Sequence, residues 1–168
     1  MTQTEKELLF KDLCARLPYG VKAYIKKWSK LDIKYYEGVY TVESIDPSLN
    51  TIIADSERSC VEVIVGYDDC EIKPYLFPLS SMTEEEAKEL SILYDITDVL
   101  SIKITDEYID FEVDDGFSSI ETKIIWFNDI ISSIEIFDWL NAHHFDYRDL
   151  IPMDLVIAVT KENSPYKE

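Results

Sequence analysis

Apolar and polar positions follow two different periods along this chain, and each change of period marks an element. Over residues 4–17, Leu9, Leu13, Cys14 and Leu17 fall at helical intervals, which predicts an amphipathic helix. Thr4 and Glu7 have the spacing of a capping box, and Pro18 with Gly20 ends the run. From Val21 the period shortens. VKAYIKKW, YYEGVYTVESI, NTIIADS and CVEVIVG are short segments rich in β-branched and aromatic residues, the composition of strands. Turn residues separate them, notably Asp46-Pro47-Ser48-Leu49-Asn50. Strands this close leave no room for crossover helices, so the predicted sheet is antiparallel and curled, an SH3-like barrel being one form it can take.

The stretch DCEIKPYLFPLSSMTEEE, residues 69–86, changes the pattern again. Pro74 and Pro78 bracket an apolar segment that cannot continue a helix, and PYLF is expected as a buried edge strand. Thr83 and Glu86 then form a second capping box, opening a helix with Ala87, Leu90, Leu93 and Tyr94 as its apolar stripe. VLSIKIT and YIDFEV read as strands, Asp114-Asp115-Gly116 as a hairpin turn and FSSIETKIIWF as the returning arm. Ser132 and Glu135 mark a third helix start, with Ile136, Trp139, Leu140 and His143 on one face and an end near His144 or Phe145. An irregular turn and a last short strand follow. The pattern predicts an α+β fold: an N-terminal helix packed on a curled antiparallel sheet, a middle helix, a second β-hairpin and a C-terminal helix. Length and the absence of a linker suggest one domain, 1–168. Within it lie a first β subregion, 1–78, a subregion of helix, hairpin and C-terminal helix, 79–160, and a frayed polar tail, 161–168.

Composition narrows the function classes. No apolar run approaches the roughly 20 residues of a membrane helix, and the start lacks the pattern of a secretory signal, so the expected address is the cytoplasm with no membrane role. Cys14, Cys60 and Cys70 share no metal or disulfide spacing and are expected as small buried thiols; no cofactor or metal is expected. The net charge is −18, yet residues 1–34 carry eight basic groups against four acidic ones, so the acid is concentrated in the rest. Such a field disfavours direct nucleic-acid binding.

Three sets of residues could carry function. Asn141, His143, His144, Asp146, Tyr147 and Arg148 are the densest cluster of chemically able groups and hold both histidines. Adjacent helical residues point about 100° apart, however, and His and Arg at a helix end also suit the negative end of the dipole. Asp106, Glu107, Asp110, Glu112, Asp114 and Asp115 supply an acidic stripe in which Asp110, Glu112 and Asp114 share one strand face, opposite Ile109, Phe111 and Val113. Displayed regularly, such carboxylates could mimic nucleic acid and occupy the groove of a basic enzyme; a solvated strand face is the plainer reading. Trp28, Tyr35, Tyr36, Tyr75 and Phe77 could line a peptide groove or close a core.

Three blocks, KDLCARLPYGVK (residues 11–22), KPYLFPLSSMTEEE (73–86) and DWLNAHHFDYRDLI (138–151), cover about a quarter of the chain. In these blocks the chain resembles uncharacterised small proteins of gut Bacteroides and of their phages and prophages. The chain departs from that group at Asp149, where similar proteins have Gly, a residue suited to a bend with φ > 0, and in the Ile- and Asp-rich segment 96–134. The resemblance implies a small cytoplasmic accessory product of a mobile element and carries no activity with it. No acid, base and nucleophile set assembles from spacing. The expected function is therefore non-catalytic interaction with another macromolecule, a protein partner first. An acidic nucleic-acid mimic, and a small enzyme or ligand-binding protein using His143, His144 and Asp146, are the alternatives.

Overall fold

The computed structural model describes residues 1–29, 34–57, 59–65, 70–116 and 119–166; Asp69, Phe117, Ser118, Lys167 and Glu168 fall outside these. The chain is an α+β fold with helices near both ends, divided into two compact units, Met1–Leu76 with Asp149–Glu168, and Phe77–Arg148. Residues 149–160 thus belong with the first unit.

The first unit opens with α1, Gln3–Arg16. Its cap is Thr2, whose hydroxyl accepts from the Glu5 N–H at 3.2 Å while the Glu5 carboxylate accepts from the Thr2 N–H at 2.6 Å. The sequence TQTEKE holds two overlapping capping boxes. The outer one, not Thr4 with Glu7, is used, and the helix gains a turn-spanning bond from Gln3 Nε2 to Glu7 Oε1. The stripe also differs: Leu9, Phe10 and Leu13 are buried, whereas Cys14 is exposed. A 3₁₀ turn, Leu17–Tyr19, follows, and Gly20 at φ 68° turns the chain into the sheet.

Six strands form that sheet: β1 Lys22–Ser29, β2 Lys34–Asp46, β3 Thr51–Ser56, β4 Ser59–Ile64, β5 Cys70–Leu76 and β9 Ile157–Ala158, in the order β4-β3-β2-β1-β5-β9. All pairs are antiparallel except β5 with β9. The long β2 is shared. Its first part, 34–41, pairs with β1, and its last part, 41–46, with β3, the handover coming at Thr41 beside a register shift between Val42 and Ser44. Hanging neighbours on different halves of one bulged strand curls the sheet. The inward positions Ala23, Ile25, Val42, Ile52, Ala54, Val61, Val63 and Ile72 meet α1 in one core. Lys27 reaches across to the Glu62 carbonyl, 2.5 Å away. No ladder joins β4 to β5 or β9 among the described residues. The turn after β2 is held by Asp46, whose Oδ1 accepts from the backbone of Ser48 and Leu49.

PYLF is not an edge strand. Pro74 pairs with Ala23 of β1, and beyond that rung Tyr75 and Leu76 pair with Ile157 and Ala158 of β9. The N–H of Val42 donates to the Val21 carbonyl, which fixes the phase of the ladder: odd-numbered β1 residues bond toward β2, and even-numbered ones toward β5. Pro74 sits opposite Ala23, an odd position. Its missing N–H therefore points away from β1, and the strand tolerates it.

The second unit contains α2 Glu84–Leu93, β6 Val99–Ile104, β7 Tyr108–Asp114, β8 Ile120–Trp126 and α3 Ile134–Ala142. The capping box of Thr83 and Glu86 forms as the sequence predicts, with bonds of 2.7 and 3.2 Å. The expected hairpin is present, with β7 central in a three-stranded antiparallel sheet, β6-β7-β8. Its buried residues Ile109, Phe111, Val113 and Ile125 pack in one core with Ala87, Leu90, Ile136, Leu140 and Phe145. The cap of α3 is Ser133 rather than Ser132; its hydroxyl accepts from the Ile136 N–H at 3.3 Å. In this register Glu135 stands within the first turn, where its own N–H and the Ser133 hydroxyl hold its carboxyl below the usual range.

Candidate functional site

The HHFDYR cluster is built around the end of α3. Phe145 N–H donates to Leu140 O at 3.0 Å and His144 N–H to Asn141 O at 3.1 Å, the paired bonds of a Schellman motif. His144 occupies its left-handed position, with φ 56°, which glycine usually takes. The turned backbone then pairs with Phe77, whose N–H donates to His144 O at 2.9 Å and whose carbonyl accepts from Asp146 N–H at 2.8 Å.

This local structure divides the six candidate residues. Asn141 is fully buried; its Nδ2 donates to Phe137 O at 2.9 Å and its Oδ1 accepts from the Tyr147 hydroxyl at 2.8 Å. The same hydroxyl accepts from Arg148 Nη2 at 2.8 Å. The Arg148 guanidinium stacks 4.7 Å from the Tyr147 ring centre and 5.4 Å from that of Phe137, a cation–π arrangement. His143 belongs to another group. Its ring stacks on Trp139 at 4.0 Å, and its Nδ1 lies 2.9 Å from Trp139 O. A carbonyl can only accept, so Nδ1 carries the proton. Nε2 lies 3.6 Å from Glu89 Oε2, the oxygen that also accepts from Trp139 Nε1 at 3.2 Å. His144 and Asp146 are buried, and the Asp146 carboxylate accepts from the Arg148 N–H at 3.3 Å. The two histidines thus serve different surroundings, and these polar groups tie the helix end to its neighbours. Among the described residues no three His, Cys, Asp or Glu side chains gather to hold a metal.

The acidic stripe falls on the outer face of β7, as its alternation predicts, with Ile109, Phe111 and Val113 buried opposite. It is not an array of carboxylates alone. Asp110 faces Lys103 of β6 and Ile124 of β8; Glu112 accepts from Ser101 Oγ at 2.7 Å; Asp114 accepts from the Gly116 N–H at 2.9 Å. Beside it on the same face run Ile120, Ile124 and Trp126, exposed by 65%, 46% and 46%, with Trp126 packed against Tyr108 at 4.9 Å. Reading β7 alone missed this apolar row, although the alternation Ile120, Thr122, Ile124, Trp126 carried the signal.

The aromatic set separates. Trp28 and Tyr35 pack at 6.4 Å on the surface of β1 and β2. Tyr36 and Tyr35 line a groove of about 640 Å³ along β2 that ends at Asp55, Ser56 and Glu57. Tyr75 is buried in the first unit, and Phe77 packs in the core of the second.

Two structural features carried no signal that single-residue patterning could find. Asp12 and Arg16, both fully buried, form an ion pair at 2.8 Å inside the first unit. Near the C-terminus, where fraying was expected, the Tyr166 hydroxyl accepts from Lys22 N–H at 3.1 Å and donates to Tyr75 O at 2.9 Å. It bridges the rung at which β1 and β5 part. None of the three cysteines is in a disulfide; Cys14 and Cys60 are exposed and Cys70 is half-buried, so the expected burial is not found. No family model, curated protein or solved structure matches the chain.

Proposed function

We propose that this is a non-catalytic interaction protein, a cytoplasmic accessory product of a mobile element, whose ligand is another protein. The observation that supports it best is the outer face of β6-β7-β8. There the exposed row Ile120, Ile124 and Trp126 lies against Asp110, Glu112 and Asp114. An apolar strip edged by carboxylates offers area to a partner and selects one with basic groups beside apolar ones. The apolar row favours a protein partner over a mimic of the phosphate array. The separation of the histidines, and their engagement in capping α3, favour binding over catalysis.

Affinity purification from the native cell at low and high salt tests this reading, run beside an Ile124→Ser, Trp126→Ser variant whose fold is checked by circular dichroism. Wild type should retain a protein that the variant loses and that high salt weakens. Equal recovery by both proteins would refute it.

A further inference from the structure

We infer that the first unit has a separate binding edge, which takes up an extended basic peptide as an added strand along β2. This rests on the ladder of β1 and β2 and not on the outer face of the second unit. Because Val42 N–H bonds to Val21 O, the even-numbered β2 residues direct their backbone groups to β1, and Tyr35, Glu37 and Val39 direct theirs to the opposite side. There β3 begins pairing only at Thr41 with Asp55. Among the described residues no strand covers the outer edge of 34–40. Alternate unpaired N–H and C=O groups are the template on which an extended chain adds as a strand.

Side chains give this edge a shape. The groove beside it is about 640 Å³ and open. Gly38, without a side chain, leaves a notch between Tyr36 and Tyr40 on the inward face; a Cβ there would meet Tyr40 Cε2 at 3.8 Å. An added strand places every second side chain toward that notch, which fits an apolar residue. Charge selects the others. The Lys22 Nζ that lines the groove is engaged by Pro165 O at 2.8 Å, and Lys34 Nζ lies 4.8 Å from the centre of the Tyr36 ring. Asp55 and Glu57 have no cationic partner among the described residues, and the chain carries −18 overall. A peptide alternating basic and apolar residues matches both. A second copy fits less well, since two β2 edges paired about Glu37 would oppose like charges.

The test uses the full chain and a labelled peptide alternating Lys and Val, with a Glu–Val peptide and a Lys–Val peptide N-methylated at every second amide as controls. Fluorescence anisotropy should show binding by Lys–Val. Binding should weaken at least about tenfold on N-methylation, the consequence of losing backbone bonds, and several-fold for the Asp55→Asn, Glu57→Gln variant. On binding, hydrogen exchange at the Tyr35, Glu37 and Val39 amides should slow about tenfold or more. Glu37→Pro, which removes a donor facing only the free edge, should abolish these effects with the β1 amides still protected; Glu37→Gln should preserve them. The Ile124→Ser, Trp126→Ser variant should bind the peptide as wild type does, so failure here and failure of the proposed function are separable. The inference is overturned if Lys–Val does not bind, if the Glu–Val or N-methylated peptide binds equally, or if light scattering shows that this edge is filled by a second copy.

Discussion

Replacing Tyr166 by Phe removes one oxygen and keeps the ring. The hydroxyl joins Lys22 N–H to Tyr75 O where β1 and β5 diverge, so its loss leaves two main-chain groups of a ladder unpaired. Each such bond contributes about 1 kcal/mol net, and the pair about 2 kcal/mol, water entering past the half-buried ring lowering the figure. In native-state hydrogen exchange, amides of the β1–β5 ladder, such as Tyr24 and Lys26, should exchange about thirtyfold faster in the variant. A pH series gives an independent reading. Burial pushes the Tyr166 hydroxyl up to about 12, against the pull of the Lys22 N–H. An unfolded tyrosine titrates near 10, so the neutral hydroxyl's contribution is whole below pH 10 and is lost as the pH rises from 10 to about 12, on the order of 2–3 kcal/mol. Wild type should lose this stability over that window and Tyr166→Phe should not. A variant with unchanged exchange in the β1–β5 ladder, or with the same loss at high pH, would refute the bridging role.

Other consequences follow the same reasoning. Asp12→Leu should cost about 3–5 kcal/mol in urea unfolding because it removes the carboxylate paired with the buried Arg16, whereas Asp12→Leu combined with Arg16→Met should recover most of that loss; equal loss in both would show that packing, not charge, holds the site. Asp149 has φ 57°, so Asp149→Gly should relieve left-handed strain and be neutral or stabilising by up to about 1 kcal/mol in thermal unfolding, while Asp149→Val should destabilise. Thr83→Ala should cost about 1 kcal/mol by removing one side of the capping box on α2, with Thr83→Ser close to wild type in the same denaturant titration.

Asp149 holds a left-handed position of the kind that glycine usually takes. With only four glycines in the chain, left-handed positions fall to Asn50, Asp95, Asp98, His144, Asp149 and Asp154. Five of these are Asp or Asn, whose short polar side chains bond locally and tolerate that region. His144 is the exception. Its place in the cap of α3 gives a structural account of a residue that composition marks only as chemically able.

The sequence by itself determined what depends on neighbours a few residues away. Period, proline, glycine and capping spacing placed three helices, the strands and the hairpin, because backbone bonds at helix ends and side-chain alternation act over one or two turns. In TQTEKE two boxes are equally spaced and the motif did not choose, and in SSIE the spacing chose Ser132 where the helix takes Ser133, so the starts moved by two residues and by one. Tertiary structure decided what depends on distant pairing: the sharing of β2 between β1 and β3, the return of residues 149–166 to the first unit, the Tyr166 bridge, and the parting of Tyr75 from Phe77. These contacts join segments up to 144 positions apart, and no local period encodes which of several similar strands will be neighbours. The same limit governed the sites. Alternation put Asp110, Glu112 and Asp114 on one face, but the pairing of β7 with β8 set Ile120, Ile124 and Trp126 beside them, and the phase of one ladder turned the backbone groups of Tyr35, Glu37 and Val39 away from β1.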